Sequence, residues 1–401
     1  MCIVCAVFAA VLLLLLLLAF PAPSTKQARM RDVFNLEFRL LPYYQRTKKL
    51  KCGGIGGVRS QLRGASKLWA GLSKLRAPHL LVTVSTPELA EFTQNWICSA
   101  RQSLANFSIL VIADRPSTCA QLQPWLRGNT ASENEASSAI CLVSGLLRGT
   151  ATRKSGQSVL YAGKGSSYSE TNRARATLYT SLSESHAIRR FRWAIFSDVD
   201  LVFRSDPFSY LDSMTFGVAS ARASTVFFGR NECPVPGVDN DQLNPRALNG
   251  GVVSFAPSET SRSLFRAALC SLVEGRTYDG TDQGALQAAA ERAWSSSNPN
   301  TSGAPLPLEG RPPVTLLPCD KVAPGHLLAR PDFAPSSLVS FHMNWAMRSS
   351  TKLRCLEATG QWVRRNPPTL CAPFGSSGRG FTVERSGHRI HGCALKGGAW
   401  S

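Results

Sequence analysis

The sequence has few acidic residues and, beyond its apolar first segment, no closely spaced cysteine pairs, and both features exclude classes of protein. It contains 26 Asp and Glu against 45 Lys and Arg, for a formal net charge of +19. Cys2 and Cys5 lie in the apolar segment; the other ten of its twelve cysteines form no C-x-x-C pair and no Cys/His group with zinc-site spacing, so no metal cluster is expected. Neither Gly nor Pro dominates, which excludes a fibrous or largely disordered chain. The 401 residues suffice for one large domain or two ordinary ones.

The basic excess is concentrated near the amino terminus. Residues 26–76 hold thirteen Lys and Arg but only Asp32 and Glu37, and they contribute +11 of the net charge. No zinc-finger, RNP or helix-turn-helix signature accompanies them. We therefore expect a solvated stem or a surface facing anionic partners, and no nucleic-acid partner.

The first residues are typical of a membrane segment. Met1–Phe20 carries no charged side chain and includes the run Leu12–Leu18, so as a helix it could cross the roughly 30 Å hydrocarbon layer. An anchor and a cleaved signal peptide both fit, and Pro21 and Pro23 beside the candidate cleavage points favour the anchor. The basic residues follow the span, opposite to the usual bias for a chain outside the cytosol.

Cysteines elsewhere in the chain indicate an oxidising compartment. Disulfides in a secretory lumen are the better account of them, although their pairing cannot be read from the sequence. The sequons at Asn106 and Asn300 agree with that compartment. The ten cysteines beyond the apolar segment are Cys52, Cys98, Cys119, Cys141, Cys233, Cys270, Cys319, Cys355, Cys371 and Cys393.

Strand and helix patterns alternate after the basic stretch. Leu80–Ser85 predicts a strand, Thr86 a helix cap, Pro87 the first helical position, and Phe107–Ala113 a second strand. Such a βαβ unit implies a parallel sheet, so the fold class is α/β.

The same patterns continue along the chain. Residues 128–170 are interpreted as irregular with one short element in the apolar run Ala139–Leu147, and residues 295–313 as a loop. The tail after Arg364 is rich in Gly, Ser and Arg, and no element is predicted in it. The predicted later elements are a helix through Ala174, Leu178 and Leu182, strands at Phe191–Ser197 and Val252–Phe255, and helices from Ser258 to Gly275 and from Thr281 or Asp282 to Trp294.

Two aspartates, Asp198 and Asp200, follow a predicted buried strand. Ligands bind beyond the carboxyl ends of strands in open α/β sheets, and paired carboxylates suit Mg²⁺ or Mn²⁺. The alternative is a pair of turn or capping residues.

The run Phe196–Phe208, with Asp206-Pro207-Phe208 after the aspartates, resembles the metal-binding motif of Golgi nucleotide-diphospho-sugar transferases with a GT-A fold. The resemblance covers residues 78–363, is nearest to plant-type arabinosyl- and xylosyltransferases of glycosyltransferase family 77, and implies a Rossmann-type, mostly parallel sheet flanked by helices. Further segments similar to the family's motifs follow in order: Asn95-Trp96, Asn249-Gly250-Gly251, Asp282-Gln283, and Phe341-His342-Met343-Asn344-Trp345 before Lys352 and Gly360-Gln361-Trp362.

This resemblance implies Mn²⁺ or Mg²⁺ held by Asp198, Asp200 and His342. A departing nucleoside diphosphate gains negative charge, which a bound cation stabilises as a Lewis acid. Taken alone, His342 after an apolar strand is more typical of a packed core histidine. Lys352 would neutralise diphosphate charge as a mobile ammonium, or else lie on a solvated helix face.

Other motifs supply the remaining implied residues. Asn249-Gly250-Gly251 would form a turn whose glycines let the backbone approach a sugar, or a plain strand-entry turn. Asp282 and Gln283 are the implied catalytic residues, facing the reacting sugar, although Asp282 also suits a helix cap. Asn344 is implied in donor or acceptor binding.

The predicted activity is retaining transfer of a sugar from a nucleotide diphosphate, expected to be UDP, to a glycan or glycoprotein. Retention permits a covalent glycosyl-enzyme or a front-face step. Two other functions stay open. One is a non-catalytic lumenal glycan-binding protein. The other is a haloacid-dehalogenase-type phosphatase, which also has a strand followed by D-x-D but needs a further acidic pair.

The predicted organisation is a single large domain behind a membrane anchor. Its parts are an anchor at 1–22, a basic stem at 23–77, a transferase domain at 78–363 and a cysteine-containing tail at 364–401. We expect a single-pass type II protein of the Golgi membrane with a lumenal domain. The basic residues near the aspartates are interpreted as a solvated helix end, with the alternative that some of them face the nucleotide; they are Arg173, Arg175, Arg189, Arg190 and Arg192.

Overall fold

The structure is a computed structural model. It describes residues 66–127, 139–144, 147, 166–217, 219, 222, 225–233, 244, 246–277, 280–296, 314–329, 338–344, 349–364, 371, 374, 381–386 and 389–395. The predicted anchor, most of the predicted stem, residues 297–313 and Trp345 lie outside this part. Among the described helices, none is both long and apolar enough to cross a membrane.

Helices and strands alternate through most of the described chain. The helices are α1 (Ser66–Leu72), α2 (Ala90–Ser103), α3 (Pro116–Arg127), α4 (Ser166–Glu184), α5 (Pro207–Met214), α6 (Glu259–Val273), α7 (Asp282–Ser296) and α8 (Ser349–Ala358). The strands are β1 (His79–Ser85), β2 (Phe107–Ala113), β3 (Ala139–Val143), β4 (Trp193–Ser197), β5 (Leu201–Phe203), β6 (Val226–Arg230), β7 (Leu248–Phe255), β8 (Val314–Leu316), β9 (Val322–Pro324), β10 (Ser340–His342), β11 (Phe381–Ser386) and β12 (Arg389–Leu395).

A seven-stranded sheet with the order β3-β2-β1-β4-β7-β6-β8 forms the centre of the fold. Parallel pairing joins β1 to β2 and β4, β2 to β3, and β6 to β8. Strand β7 runs antiparallel to both β4 and β6. The predicted α/β class with a mostly parallel sheet flanked by helices is confirmed, and β7 is its antiparallel member.

The apolar runs of the central strands are explained by burial on both faces. Leu80 and Val82 of β1 belong to one core cluster, which includes residues of α4, α6 and α7. Leu81 points the other way and joins Trp96 of α2 in a second cluster. Because successive side chains alternate across a strand, a strand covered on both sides must be apolar throughout.

A smaller sheet in the order β5-β10-β9 lies beside the central one. Strand β10 pairs antiparallel with β5 and parallel with β9. A third core cluster packs around it and contains Val202, Phe341 and Leu356. Since only three residues separate β4 from β5, the short turn between them connects the two sheets.

Several local predictions are wrong. The side chain of Thr86 makes no cap; Pro87–Leu89 forms a 3₁₀ turn in which the amide of Leu89 donates to the carbonyl of Thr86 at 3.0 Å. The helix predicted through Ala174 begins earlier than expected, because α4 already starts at Ser166, within the stretch predicted to be irregular. Its first residues escape prediction because they are polar. The one short element predicted in the run Ala139–Leu147 is confirmed as the edge strand β3.

Elements that were not predicted from the sequence lie on either side of residues 78–363. Helix α1 lies within residues 23–77, and its Leu68 and Leu72 are buried in the first core cluster. In the tail, β11 and β12 form an antiparallel hairpin. Both elements are short and are held by contacts with residues distant in sequence.

Disulfides attach these peripheral elements. Four of them join described residues: Cys98–Cys371, Cys119–Cys141, Cys233–Cys319 and Cys355–Cys393. Cys119–Cys141 ties α3 to β3, and two bridges tie the tail to α2 and α8. Cys270 is disulfide-bonded as well.

Candidate active site

The two predicted aspartates lie in the turn between the sheets. The amide of Asp198 donates to the carbonyl of Gly251 in β7 at 2.9 Å. Asp200 is 2% exposed, whereas the side chain of Asp198 is 23% exposed and lines a cavity. After β4 ends, the carboxylate of Asp198 therefore lies in the cavity wall, whereas that of Asp200 is buried.

Strand register brings His342 to these carboxylates. His342 in β10 pairs with Leu201 in β5, and the amide of Met343 donates to the carbonyl of Asp200 at 3.1 Å. Its Nε2 lies 3.2 Å from Asp200 Oδ1 and 3.6 Å from Asp198 Oδ2. The predicted metal ligands are thus brought together although His342 is distant in sequence.

These three residues suit a divalent cation. Each offers one ligand atom, and the three atoms lie within 4.8 Å of one another. Two carboxylates and an imidazole match the ligand preferences of Mn²⁺, and of Mg²⁺ where oxygen predominates. They form a candidate site for a divalent cation, whose identity the donor set does not define.

Lys352 differs from both readings of the sequence. It is 2% exposed, and its ammonium forms an ion pair with Asp200 Oδ2. It is therefore neither mobile nor on a solvated helix face, because α8 packs it into the site. Oδ1 of Asp200 faces His342, so the two oxygens of this carboxylate have different partners.

Arg175 does not lie at a solvated helix end, which was the preferred interpretation of the basic residues near the aspartates. It extends from α4 into the site, where it donates to Asp198 Oδ1 at 2.6 Å and to the hydroxyl of Tyr179 at 3.0 Å. Its Nε also lies 3.0 Å from Asp282 Oδ2. The available signal was the helix predicted from Ala174, Leu178 and Leu182. Because Arg175 directly follows Ala174, it lies next to the buried side of that helix.

The start of α7 supplies the opposite wall of the cavity. Thr281 caps the helix, accepting from the amide of Gly284 at 2.8 Å, so Asp282 is not the residue needed for this cap. Asp282 instead pairs with Arg175 and lines the cavity. Gln283 Oε1 accepts from the amide of Gly250 at 3.1 Å.

The predicted Asn249-Gly250-Gly251 turn lies inside β7, so its placement before the strand is wrong. The register between β6 and β7 shifts at Phe228 and Gly229, which leaves residues 250–252 as a bulge opposite them. Asn249 is buried and its Oδ1 accepts from the amide of Gly251 at 2.8 Å. A bulge re-aims backbone next to a site, as a turn would.

A cavity of about 240 Å³ connects these residues. Asp198, His342, Asp282 and Arg175 form the charged side of this cavity. Carboxamides line much of the rest: Asn172, Asn231, Asn249, Gln283 and Asn344. Carboxamides donate and accept hydrogen bonds at once, which suits a ligand bearing several hydroxyl groups.

Asn344 and Asn231 are neighbours in this wall. Asn344 Oδ1 accepts from the amide of Gly325 at 3.0 Å, and its Nδ2 lies 3.4 Å from Asn231 Oδ1. The sequence interpretation included Asn344 but not Asn231, since the segment around Asn231 matched no motif.

Burial and charge shift the pKa values of the site together. Burial alone would raise the pKa of Asp200, but Lys352 and His342 outweigh it and hold the pKa well below its usual range. Burial alone would lower the pKa of His342, but Asp200 and Asp198 raise it to about 9. Burial alone would raise the pKa of Asp198, but Arg175 lowers it. Both aspartates are therefore ionised and His342 carries a proton near pH 7.

The Asn95-Trp96 and Gly360-Gln361-Trp362 segments have structural roles. Trp96 Nε1 donates to Ser197 Oγ at 2.9 Å, directly before Asp198. Asn95 Oδ1 accepts from the amide of Val363 at 2.6 Å. Together these bonds connect α2 to the end of β4 and to the chain that follows α8.

Comparisons with known proteins give limited information. No protein-family model and no curated protein sequence matches the chain. Among solved structures, it is similar to the WbbM bifunctional glycosyltransferase, with 14% identity and a TM-score of 0.39 over 67% of this chain but only 46% of the WbbM chain.

Two further likenesses are of the same kind. Mouse xyloside xylosyltransferase 1 shares 13% identity with a TM-score of 0.41, covering 66% of this chain and 97% of its own. LgtC, a galactosyltransferase, shares 10% with a TM-score of 0.39, covering 66% and 86%. At these low scores and identities, the activity of this chain does not follow from the likeness.

Proposed function

We propose that the protein is a metal-dependent glycosyltransferase that uses a nucleotide diphosphate sugar. The observation that carries the proposal is the convergence of Asp198, Asp200 and His342 on one point at a cavity lined with carboxamides. The finer expectations are part of the same proposal: a UDP-sugar donor, a glycan or glycoprotein acceptor, retention of configuration, and a lumenal domain in the Golgi.

Charge balance supports a diphosphate ligand. Asp198, Asp200 and Asp282 carry three negative charges, and Arg175 with Lys352 carries two positive ones. When His342 is neutral, the cluster is net negative, which is unsuited to phosphate. A divalent cation held by Asp198, Asp200 and His342 reverses the sign, supplies Lewis-acid stabilisation of the leaving diphosphate, and makes the cluster attract pyrophosphate.

The protein's own groups then have distinct tasks. Lys352 neutralises Asp200 from the side away from His342, which keeps that carboxylate ionised and oriented. Asp282 and Gln283, at the start of α7, contribute the groups proposed to contact the donor sugar. Asn249 and Asn344 are proposed to form hydrogen bonds with hydroxyl groups of the donor or the acceptor.

The two other functions differ from this proposal in what they require. In the described part of the chain, Asp282 is the further carboxylate that lines the cavity beside Asp198, so the acidic pair of a haloacid-dehalogenase-type phosphatase is not formed there. A glycan-binding protein would need the carboxamides but not the cation.

The test is an assay of the purified protein with a panel of UDP-sugars and Mn²⁺. We expect Mn²⁺-dependent transfer or donor hydrolysis, reduced at least about a hundredfold by Asp198→Asn, since a transition-state charge contact is lost. Asp212→Asn is the matched control, because Asp212 is also ion-paired but at the opposite end of β4.

The outcomes separate the alternatives. No binding of UDP in the presence of Mn²⁺, together with binding of free glycans, would overturn the transferase proposal in favour of a glycan-binding protein. Equal activity of Asp198→Asn and the unmodified protein would exclude the proposed metal site.

A further inference from the structure

The wall of the cavity includes a buried tyrosine hydroxyl whose proton faces no acceptor among the described residues. Tyr179 of α4 lines the cavity and is only 4% exposed. Its hydroxyl oxygen accepts from Arg175 Nη2 at 3.0 Å, and within the described part of the chain this is its only hydrogen bond. A tyrosine hydroxyl also donates one hydrogen bond, and arginine has no acceptor to receive it. The proton of Tyr179 is therefore available to a ligand in the cavity.

Packing fixes the position of this hydroxyl group. The ring of Tyr179 stacks on Phe196 of β4 with the ring centroids 4.7 Å apart, and it also contacts Phe265 of α6. Both phenylalanines are buried in the first core cluster. Because the ring cannot swing towards solvent without breaking these contacts, the hydroxyl is in place before a ligand arrives. A donor that is already in position loses little conformational entropy when a ligand binds.

Arg175 connects the hydroxyl to the groups of the proposed donor site. The nitrogen that donates to Tyr179 also donates to Asp198 Oδ1 at 2.6 Å. The Nε of the same guanidinium lies 3.0 Å from Asp282 Oδ2. The hydroxyl is thus joined through one side chain to a candidate metal ligand and to the carboxylate proposed to contact the donor sugar. In the proposed function, a sugar attached to the metal-bound diphosphate would occupy this part of the cavity.

The hydroxyl keeps its proton at neutral pH. Burial raises the pKa of Tyr179 to about 12; Arg175 opposes this rise, and Asp282 and Asp198 add to it. Tyr179 is therefore a hydrogen-bond donor, whereas the ionised carboxylate of Asp282 only accepts. A sugar hydroxyl both donates and accepts, so this part of the wall offers partners for each of its two roles.

We infer that the Tyr179 hydroxyl donates a hydrogen bond to a hydroxyl oxygen of the donor sugar and makes the site specific for sugars that carry this hydroxyl group. The inference rests on the proposed function, because it concerns the same cavity. A sugar without this hydroxyl group leaves the buried proton of Tyr179 without an acceptor. Sites that bind a substrate hydroxyl by hydrogen bonds reject the analogue that lacks it, because their own buried polar groups stay unpaired.

The variant Tyr179→Phe tests the contact, because it removes the hydroxyl and keeps the stacked ring. Calorimetric titrations in the presence of Mn²⁺ compare UDP with UDP-galactose and UDP-xylose. We expect the affinity for the UDP-sugar that binds best to fall about tenfold, and the affinity for UDP to stay unchanged. The matched control is Tyr210→Phe, which removes a half-buried tyrosine hydroxyl on α5, outside the cavity, and should keep both affinities.

Deoxygenated donors supply the second arm. They are analogues of the UDP-sugar that binds best, each with one sugar hydroxyl group replaced by hydrogen. The unmodified protein should bind one of these analogues about tenfold more weakly than the parent donor. Tyr179→Phe should bind that analogue and the parent equally, since the contact is already absent. A merely structural role of Tyr179 would instead weaken the parent and every analogue by the same factor.

Two results would overturn the inference. One is an equal loss of affinity for UDP and for UDP-sugars in Tyr179→Phe, which would show that the hydroxyl acts on the metal site through Arg175. The other is the same order of affinities for all deoxygenated donors, with the same ratios, in the variant and the unmodified protein. Failure of the proposed function gives a different result, because the unmodified protein would then not bind UDP with Mn²⁺ at all.

Discussion

Gly251 shows how the site depends on a missing side chain. A Cβ atom built at this position would lie 2.1 Å from His342 Cε1 and 2.7 Å from Asp198 Oδ2. No side chain can be accommodated without moving two of the three candidate metal ligands. The glycine is therefore required by the close approach of β7 to the site.

The variant Gly251→Ala should lose metal binding before it loses the fold. Forcing a methyl group into this contact should cost about 1–3 kcal/mol of unfolding free energy and lower Mn²⁺ affinity at least tenfold. Calorimetric titration with Mn²⁺ and thermal unfolding measure the two effects. In the control Gly229→Ala, the added Cβ has its nearest neighbour at 3.5 Å, so affinity should not change. Unchanged affinity in both variants would contradict the role of Gly251.

His342 makes metal affinity depend on pH. Its pKa is raised to about 9 in the folded protein, against about 6.5 unfolded. In the metal-free protein its charge thus contributes stability that is fully present below about pH 6.5 and is lost as pH rises through about 9. A cation must displace this proton, so Mn²⁺ affinity should rise about tenfold per pH unit between pH 7 and 8.5.

Calorimetric titrations with Mn²⁺ at several pH values test this dependence. The variant His342→Asn, which keeps a polar side chain without the titrating group, should show weaker binding and a flatter profile. A flat profile in the unmodified protein would show that His342 does not give up a proton to the metal.

At the scale of elements, the hairpin of β11 and β12 supports the site from behind. It packs against α8 and against the 3₁₀ turn Gly325–Ala329. The Cys355–Cys393 bridge connects it to α8 three residues after Lys352. The turn in contact with the hairpin begins at Gly325, whose amide holds Asn344. Helix α8, which carries Lys352, and the turn that holds Asn344 therefore both contact a hairpin that is fixed by the Cys355–Cys393 disulfide.

Removing this staple should release the hairpin. The double variant Cys355→Ala/Cys393→Ala should lose about 3–4 kcal/mol of unfolding free energy and become sensitive to proteases within residues 381–395. Denaturant unfolding and limited proteolysis measure this. Cys119→Ala/Cys141→Ala, which opens a comparable loop at the sheet edge, should lose similar stability but keep the hairpin resistant. Cleavage of the hairpin in both variants would contradict a specific attachment.

The elements that the sequence predicts correctly are those whose signal is local. Strands β1, β2 and β4 have continuous apolar runs. Helix α6 follows its cap Ser258, the predicted start of the helix, and ends before Gly275, whose φ is +65°. The convergence of Asp198, Asp200 and His342 was accessible through the order of motifs along the chain.

The misread features depend on contacts distant in sequence. An Arg or Lys in the sequence is compatible with a solvated helix face and with a buried ion pair. Arg175 and Lys352 are buried because carboxylates from distant parts of the chain lie opposite them. The hairpin strands β11 and β12 are short and partly polar, and a disulfide with α8 holds β12. No local pattern carries either kind of information.

At the scale of the whole molecule, the site lies where the two sheets meet. The carboxyl end of β4 leads into β5 of the smaller sheet, and β5 pairs with β10, which carries His342. Near pH 7 the metal-free cluster has no net charge, because its three aspartates are balanced by Arg175, Lys352 and protonated His342. A divalent cation that displaces the His342 proton makes the cluster positive, so binding of phosphate should depend on the metal.

The central claim is that Asp198, Asp200 and His342 hold a divalent cation beside a diphosphate. Crystals grown with Mn²⁺ and UDP, measured at the manganese absorption edge, test it directly. The account predicts an anomalous peak bonded to all three side chains, with the diphosphate of UDP against it in the cavity. A manganese peak elsewhere, or UDP bound away from these residues, would contradict it.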